Sequence, residues 1–149
     1  MTDGIRSNCG SVYRYAGDEV VLSWPKKKGI EGGAAIRCFF AIRDYLDSRK
    51  DYYKSTYGVQ PVFKAGVHVG WVTVAEVGVL KREISYHGDT INTAARIEGC
   101  CNDLQRDLLI SGSLAEAMQS KSSVCFEKLG DEELRGKQKS VTVFGLNPA

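Results

Sequence analysis

Ser85-Tyr-His-Gly-Asp-Thr-Ile-Asn-Thr-Ala-Ala-Arg-Ile-Glu98 is the stretch on which the fold turns, because a Gly-Asp turn feeds directly into residues with helical spacing. Asn92 and Arg96 fall one helical turn apart there, so one face of the helix start presents an amide and a guanidinium together. Such a pair suits a phosphate undergoing displacement: Arg spreads positive charge over several oxygens, and Asn positions an attacking or bridging oxygen. The plainer alternative is a capped amphipathic helix, with Asp89 or Thr90 capping and Ile91, Ala94, Ala95 and Ile97 partly buried.

Outward from this stretch, strands and helices alternate with short turns. Ser11 to Tyr15 and Glu19 to Trp24 are β-rich runs around Ala16-Gly17-Asp18, a tight hairpin turn with Asp18 at its tip. Pro25 closes the second run, and Lys26-Lys27-Lys28 reads as a solvated loop. From Gly32 to Lys54, Ala34, Ala35, Cys38, Phe39, Ile42, Tyr45 and Leu46 recur at helical spacing, so one long helix is expected. Phe63 to Val69 and Val72 to Val77 read as a second strand pair, with Gly66 and Gly70 marking a close approach or a bend. Further on, Leu108 to Ser111 reads as a short strand and Gly112 to Ser120 as a short helix. Val124 to Leu129 and Ser140 to Leu146 form a closing antiparallel pair around the basic loop from Asp131 to Lys139.

A chain of 149 residues, 43% hydrophobic and 26% charged, suits a single globular domain with one core. Its 20 basic and 18 acidic residues are spread along the chain and leave a net charge of +2, so no polybasic tract points to nucleic acid or to a membrane surface. No apolar run approaches the roughly 20 residues of a membrane span, and no signal-peptide core follows Met1. The expected setting is cytoplasmic, either free or as the cytoplasmic part of a membrane-anchored protein. Cys9, Cys38, Cys100, Cys101 and Cys125 form neither an even framework nor a Cys-x-x-Cys pair, which argues for reduced thiols and against structural zinc. His68, inside a β-rich run, reads as a hydrogen-bonded structural histidine, and Trp24 and Trp71 as core or dimer packing.

Tyr-Ala-Gly-Asp18-Glu-Val-Val, Gly-Val-His-Val-Gly70, His-Gly-Asp-Thr-Ile-Asn92-Thr-Ala-Ala-Arg96-Ile-Glu and Leu-Arg-Gly-Lys137 occur in the order seen in class III nucleotidyl cyclase catalytic domains. The chain resembles that family from about Ser11 to Leu146. The resemblance implies an α+β, ferredoxin-like palm, with a mainly antiparallel sheet packed by helices. It also implies a head-to-tail homodimer that converts a nucleoside triphosphate to a 3′,5′-cyclic monophosphate and pyrophosphate, with two divalent cations, Mg²⁺ or Mn²⁺. Intramolecular attack of the ribose 3′-oxygen on the α-phosphorus needs in-line geometry and neutralisation of a polyphosphate, which cations held by carboxylates supply. By resemblance, Asp18 is a metal ligand, with a turn-forming Asp as the alternative. Asn92 orients the ribose and Arg96 stabilises the pentavalent phosphorus. Arg135 or Lys137 binds the terminal phosphates, with solvated loop charges as the competing reading. His87 is a candidate wall of the base pocket.

Three departures refine the expectation. Nothing matches the family's first metal aspartate, which lies on a strand upstream of the hairpin; Asp3 is the only Asp ahead of the hairpin, and it lacks that apolar strand. The chain therefore reads as one catalytic domain, 1–149, without its first strand, with open edges beside Ser11 to Tyr15 and Phe63 to Val69. On that reading it is weakly active or inactive alone, and an upstream sensor or regulatory domain belongs to a longer chain. Ser85 stands where many adenylate cyclases carry the aspartate that accepts from the adenine amino group, and Arg14, four residues before Asp18, stands where Lys is usual. Ser both donates and accepts, and Arg offers a rigid fork in place of a point donor. ATP is favoured over GTP, since guanylate cyclases commonly place an acidic residue where Arg14 lies. The alternatives are a guanylate cyclase and a non-catalytic regulatory or dimerisation module of the same fold.

Overall fold

The computed structural model describes residues 2–78, 83–119, 124–133 and 140–146. In chain order, α1 (Thr2–Ser7) leads into the hairpin β1 (Ser11–Ala16) and β2 (Glu19–Ser23), followed by α2 (Lys26–Ile30), a 3₁₀ turn, α3 (Ala34–Ser48) and α4 (Lys50–Tyr57). Then come β3 (Ala65–Val67), β4 (Thr73–Val77), β5 (Glu83–His87), α5 (Thr90–Gly99), β6 (Leu108–Ser111), α6 (Gly112–Gln119), β7 (Phe126–Glu132) and β8 (Val141–Leu146).

Strand β6, buried along its whole length, organises the molecule. Its side chains alternate between two faces of a four-stranded sheet in the order β3-β6-β8-β7, in which only the β3–β6 pair is parallel. Leu108 and Ile110 meet Ile36 and Phe39 of α3 and Leu114, Ala115 and Met118 of α6. On the opposite face Leu109 joins Val143 of β8, Ile97 of α5 and Cys101. Helices therefore cover both faces, and α5 is fixed from beneath by its own apolar residues. A third cluster of Ile5, Cys38 and Ile42, with Leu22 and Trp24 against it, seats α1 and the β1–β2 hairpin on α3. The Trp24 indole N–H donates to the Asn8 carbonyl at 2.9 Å, as a half-buried indole requires.

The α+β reading holds, while several local expectations do not. The helix expected over 32–54 breaks at Arg49, after the Ser48 hydroxyl donates to the Tyr45 carbonyl at 2.7 Å and competes for an acceptor the helix would use. Past the break α4 buries nothing. Lys26, Lys27 and Lys28 are exposed as expected but form a helical turn, because Gly29 and Ile30 are buried behind them. The pairing expected between 63–69 and 72–77 does not occur: β3 pairs with β6, and β4 with β5 over a register from Thr73↔His87 to Val77↔Glu83. Strands β1 and β3 each lie at the edge of their own sheet among the described residues. Ala95 is exposed, and Thr93 is buried in its place.

The cysteines are free thiols. Burial, reinforced by the nearby Glu98 carboxylate, pushes the Cys101 thiol up to about 12, and burial also raises Cys100 and Cys38. Protonated thiols of this kind are inert as nucleophiles. No helix among the described residues is long and apolar enough to cross a membrane.

Candidate functional site

A cleft of about 260 Å³ opens where the β1–β2 hairpin meets the corner between β5 and α5. Tyr13 and Arg14 line it from the hairpin, Tyr86, His87 and Gly88 from the end of β5 and the turn, and Ile91 and Asn92 from the first turn of α5. Gly88, at φ +131°, makes the sharp exit from strand to helix. The start of α5 is then pinned from outside: the Thr90 hydroxyl donates to the Trp71 carbonyl at 2.6 Å. The Thr93 hydroxyl donates to the Asp89 carbonyl at 2.8 Å. Asp89 occupies the N-cap position, yet neither it nor Thr90 caps through its side chain.

Arg14 and Asn92 are thus brought together from positions 78 residues apart, and His87 joins them as a wall. Both Arg14 and Asn92 are exposed and available to a ligand. Ser85 lies on β5 opposite Ala75, half-buried and one residue from the Tyr86 wall, without lining the cleft itself. Arg96 sits one turn beyond Asn92 on α5, half-buried and outside the lining. Asp18 is exposed in the β1–β2 turn and also outside the cleft. Arg135 and Lys137 lie outside the described residues. Among the described residues no group of three or more His, Cys, Asp or Glu side chains gathers as a cation site. Asp18 offers one of the several oxygen donors that a divalent cation takes, so the described residues supply at most part of such a site. The chemistry assignable to the described side chains is binding and positioning.

His68 is held as expected of a structural histidine: its Nδ1 lies 2.8 Å from Ser111 Oγ, which also accepts the Leu114 N–H at 3.3 Å at the start of α6. Trp71 is not core, since 96% of it is exposed. Gly66 marks the close approach expected of it, because a Cβ there would overlap backbone atoms of Ala94 and Glu98 in α5. Gly70 does likewise, with a Cβ position 2.5 Å from Thr90 Oγ1. Tyr13 and Tyr86 are the lining residues that sequence reading passed over. Their signal was adjacency, each standing beside a base-reading candidate, Arg14 or Ser85.

Residues 39–147 match the family described as the adenylate and guanylate cyclase catalytic domain. Adenylate cyclase 2 of Rhizobium meliloti (strain 1021) is 36% identical over 98% of this chain and 40% of its own length. Adenylate cyclase 1 of the same organism is 27% identical over 97% of this chain and 22% of its own. The structure of a bacterial light-regulated adenylyl cyclase superposes with a TM-score of 0.83 at 26% identity, covering 98% of this chain and 41% of that one. The chain spans less than half the length of these relatives. A family match over most of the chain, on a fold that sets Arg14 beside Asn92, means that this chain belongs to the adenylate and guanylate cyclase catalytic-domain family.

Proposed function

We propose that this domain takes part in converting ATP to 3′,5′-cyclic AMP and pyrophosphate at the interface of a homodimer. The observation that carries the reading is the cleft that unites Arg14 of the hairpin motif with His87 and Asn92 of the helix motif. In the reaction the ribose 3′-oxygen forms a bond to the α-phosphorus, the bond from that phosphorus to the bridging oxygen breaks, and the 3′-hydroxyl proton is released. Arg14 donates to ring acceptors of the base, Asn92 orients the ribose, and Arg96 spreads positive charge over the α-phosphate oxygens as they gain charge. Ser85, both donor and acceptor, reads the exocyclic group less sharply than a carboxylate would. Arg135 and Lys137 are assigned to the terminal phosphates.

Divalent cations, Mg²⁺ or Mn²⁺, supply charge neutralisation in such a reaction. Asp18 is the candidate ligand on this chain, with the further carboxylate assigned to an upstream segment. Incubating ATP or GTP with Mn²⁺ and the domain, with and without that segment, and resolving the products by chromatography tests the reading. Cyclic AMP formed only with the longer chain is the expected result. Preferred turnover of GTP would overturn the base assignment, and a folded, dimeric longer protein without product would overturn catalysis in favour of a regulatory module.

The homodimer has a candidate surface. Trp71, 96% exposed, stands beside the β4–β5 hairpin, where Val74 and Ile84 are 60% and 64% exposed on one face. Apolar side chains so placed fit a subunit contact better than a solvated hairpin. Trp71→Glu is expected to leave the isolated fold intact while weakening the dimer by at least about 30-fold, the scale of an interface hot spot. Sedimentation over a dilution series reads this directly, and turnover per chain should fall in parallel. An unchanged dimer constant would place the interface elsewhere.

A further inference from the structure

We infer that Tyr13 is a positioning residue for base selection, locking the end of β5 that carries Ser85 and His87 to the hairpin that carries Arg14. The inference rests on the nucleotide-binding reading of the cleft and deepens it. The residues assigned to the base come from two hairpins, β1–β2 and β4–β5, which form separate two-stranded sheets. Among the described residues no backbone ladder joins them, so something else must set the spacing of Arg14 from Ser85.

Tyr13 does this from a β-bulge. Val12 opposes Leu22 and Arg14 opposes Val21, which leaves Tyr13 as the extra residue, its side chain re-aimed out of the hairpin's alternation. Its ring lies on that of Tyr86, centroids 4.2 Å apart and planes 3° from parallel. Its hydroxyl oxygen accepts the Tyr86 backbone N–H at 3.0 Å. The amide so held lies between Ser85 and His87 in sequence, and it is half-buried, where a lost bond is not fully replaced by water. The same ring carries the Arg14 guanidinium carbon 5.8 Å from its centroid. One side chain therefore contacts both base-reading strands, through its ring to Arg14 and through its hydroxyl to β5. Base discrimination depends on donor and acceptor placement to within a fraction of an ångström, which a hydrogen bond of fixed direction supplies better than ring contact alone.

Tyr13→Phe keeps the ring and removes the acceptor. Dissociation constants for ATP and GTP in Mn²⁺ are expected to converge, the preference of the unchanged chain shrinking about 3- to 10-fold, the scale of one hydrogen bond. The melting temperature should move little, and the Tyr86 amide should lose its protection from hydrogen exchange. A preference within twofold of the unchanged chain, or equal weakening of both nucleotides, would make Tyr13 merely structural and overturn the inference. Should the variant not fold, amide exchange in the unchanged chain decides: protection of Tyr86 supports the lock, and exchange at the rate of an unstructured peptide overturns it. If neither nucleotide binds even to a chain carrying the upstream segment, the nucleotide-binding reading of the cleft fails and the base-selection role with it. A preference present in the unchanged chain and untouched by Tyr13→Phe removes this inference alone.

Discussion

Arg96→Ala is expected to lower kcat for cyclisation by about 100- to 1,000-fold relative to a catalytically active parent, the scale on which removing one donor aimed at a developing oxyanion acts. The expectation follows from what Arg96 lacks in the fold. It projects from the middle of α5, half-buried, and no ion pair to another described residue occupies its guanidinium. Its backbone carbonyl, which accepts from the Cys100 thiol at 3.3 Å, survives the substitution. The stability cost should stay near the roughly 0.5 kcal/mol typical of positions away from core and network. With no ion pair to another described residue and one turn beyond Asn92, Arg96 suits the phosphate-binding role proposed for it. Initial-rate kinetics should show kcat falling more than KM rises, since the interaction strengthens as charge builds on the phosphate. Sedimentation should show an unchanged dimer. A variant that loses dimer and turnover together would make Arg96 a structural residue, and one that cyclises ATP normally would remove it from the reaction.

The parts of this molecule that local chemistry dictates were legible in the sequence. The β1–β2 hairpin follows from alternation around Ala16-Gly17-Asp18, and α5 from its Gly-Asp turn and helical spacing. Strand β6, α6 and the pairing of β7 with β8 were legible too, although β7 starts at Phe126 and runs on through Asp131 and Glu132, which read as the start of the loop. What escaped depends on partners distant in sequence. Two neighbouring β-rich runs suggest a hairpin, yet β3 pairs with β6 across more than 40 residues and β4 turns to β5. The alternation within 63–77 does not encode that choice, which goes with α5 packing directly over Gly66 of β3. The break at Arg49 escaped for a different reason: apolar spacing persists to Leu46, and a single hydroxyl, that of Ser48, redirects an acceptor. At the site, the ordered motifs singled out Arg14 and Asn92 as candidates, and the fold places both on one cleft. The stack of Tyr13 on Tyr86 was invisible because it joins residues 73 apart through a bulge that alternation does not reveal. Asp18 and Arg96, singled out by the same motifs, fall outside that cleft.

Gly66→Ala is expected to destabilise the domain by about 3 kcal/mol, the upper part of the range for overpacking a tight core. The added methyl group would meet the Ala94 carbonyl oxygen and the Glu98 nitrogen, both main-chain atoms of α5. A flexible side chain could swing aside; a helix backbone can only shift as a body. Such a shift is resisted by the packing of Ile97 beneath the helix against Leu109 and Val143, and by the Thr90 bond to Trp71 at its start. For a chain of 149 residues the melting temperature should fall by roughly 6 to 12 °C. Gly99→Ala, at the far end of the same helix, is the matched control: nothing lies within 4 Å of its Cβ position, and alanine there is expected to stabilise by about 0.5 kcal/mol. Because α5 carries Asn92 and Arg96 on its solvent side, any accommodation of the methyl group moves both relative to Arg14 on the separate hairpin. Nucleotide affinity, measured well below the lowered melting temperature, should therefore fall in Gly66→Ala and not in Gly99→Ala. A Gly66→Ala chain that melts within 2 °C of the parent would mean that α5 does not rest on the β3 backbone, and the placement of Asn92 would need another support.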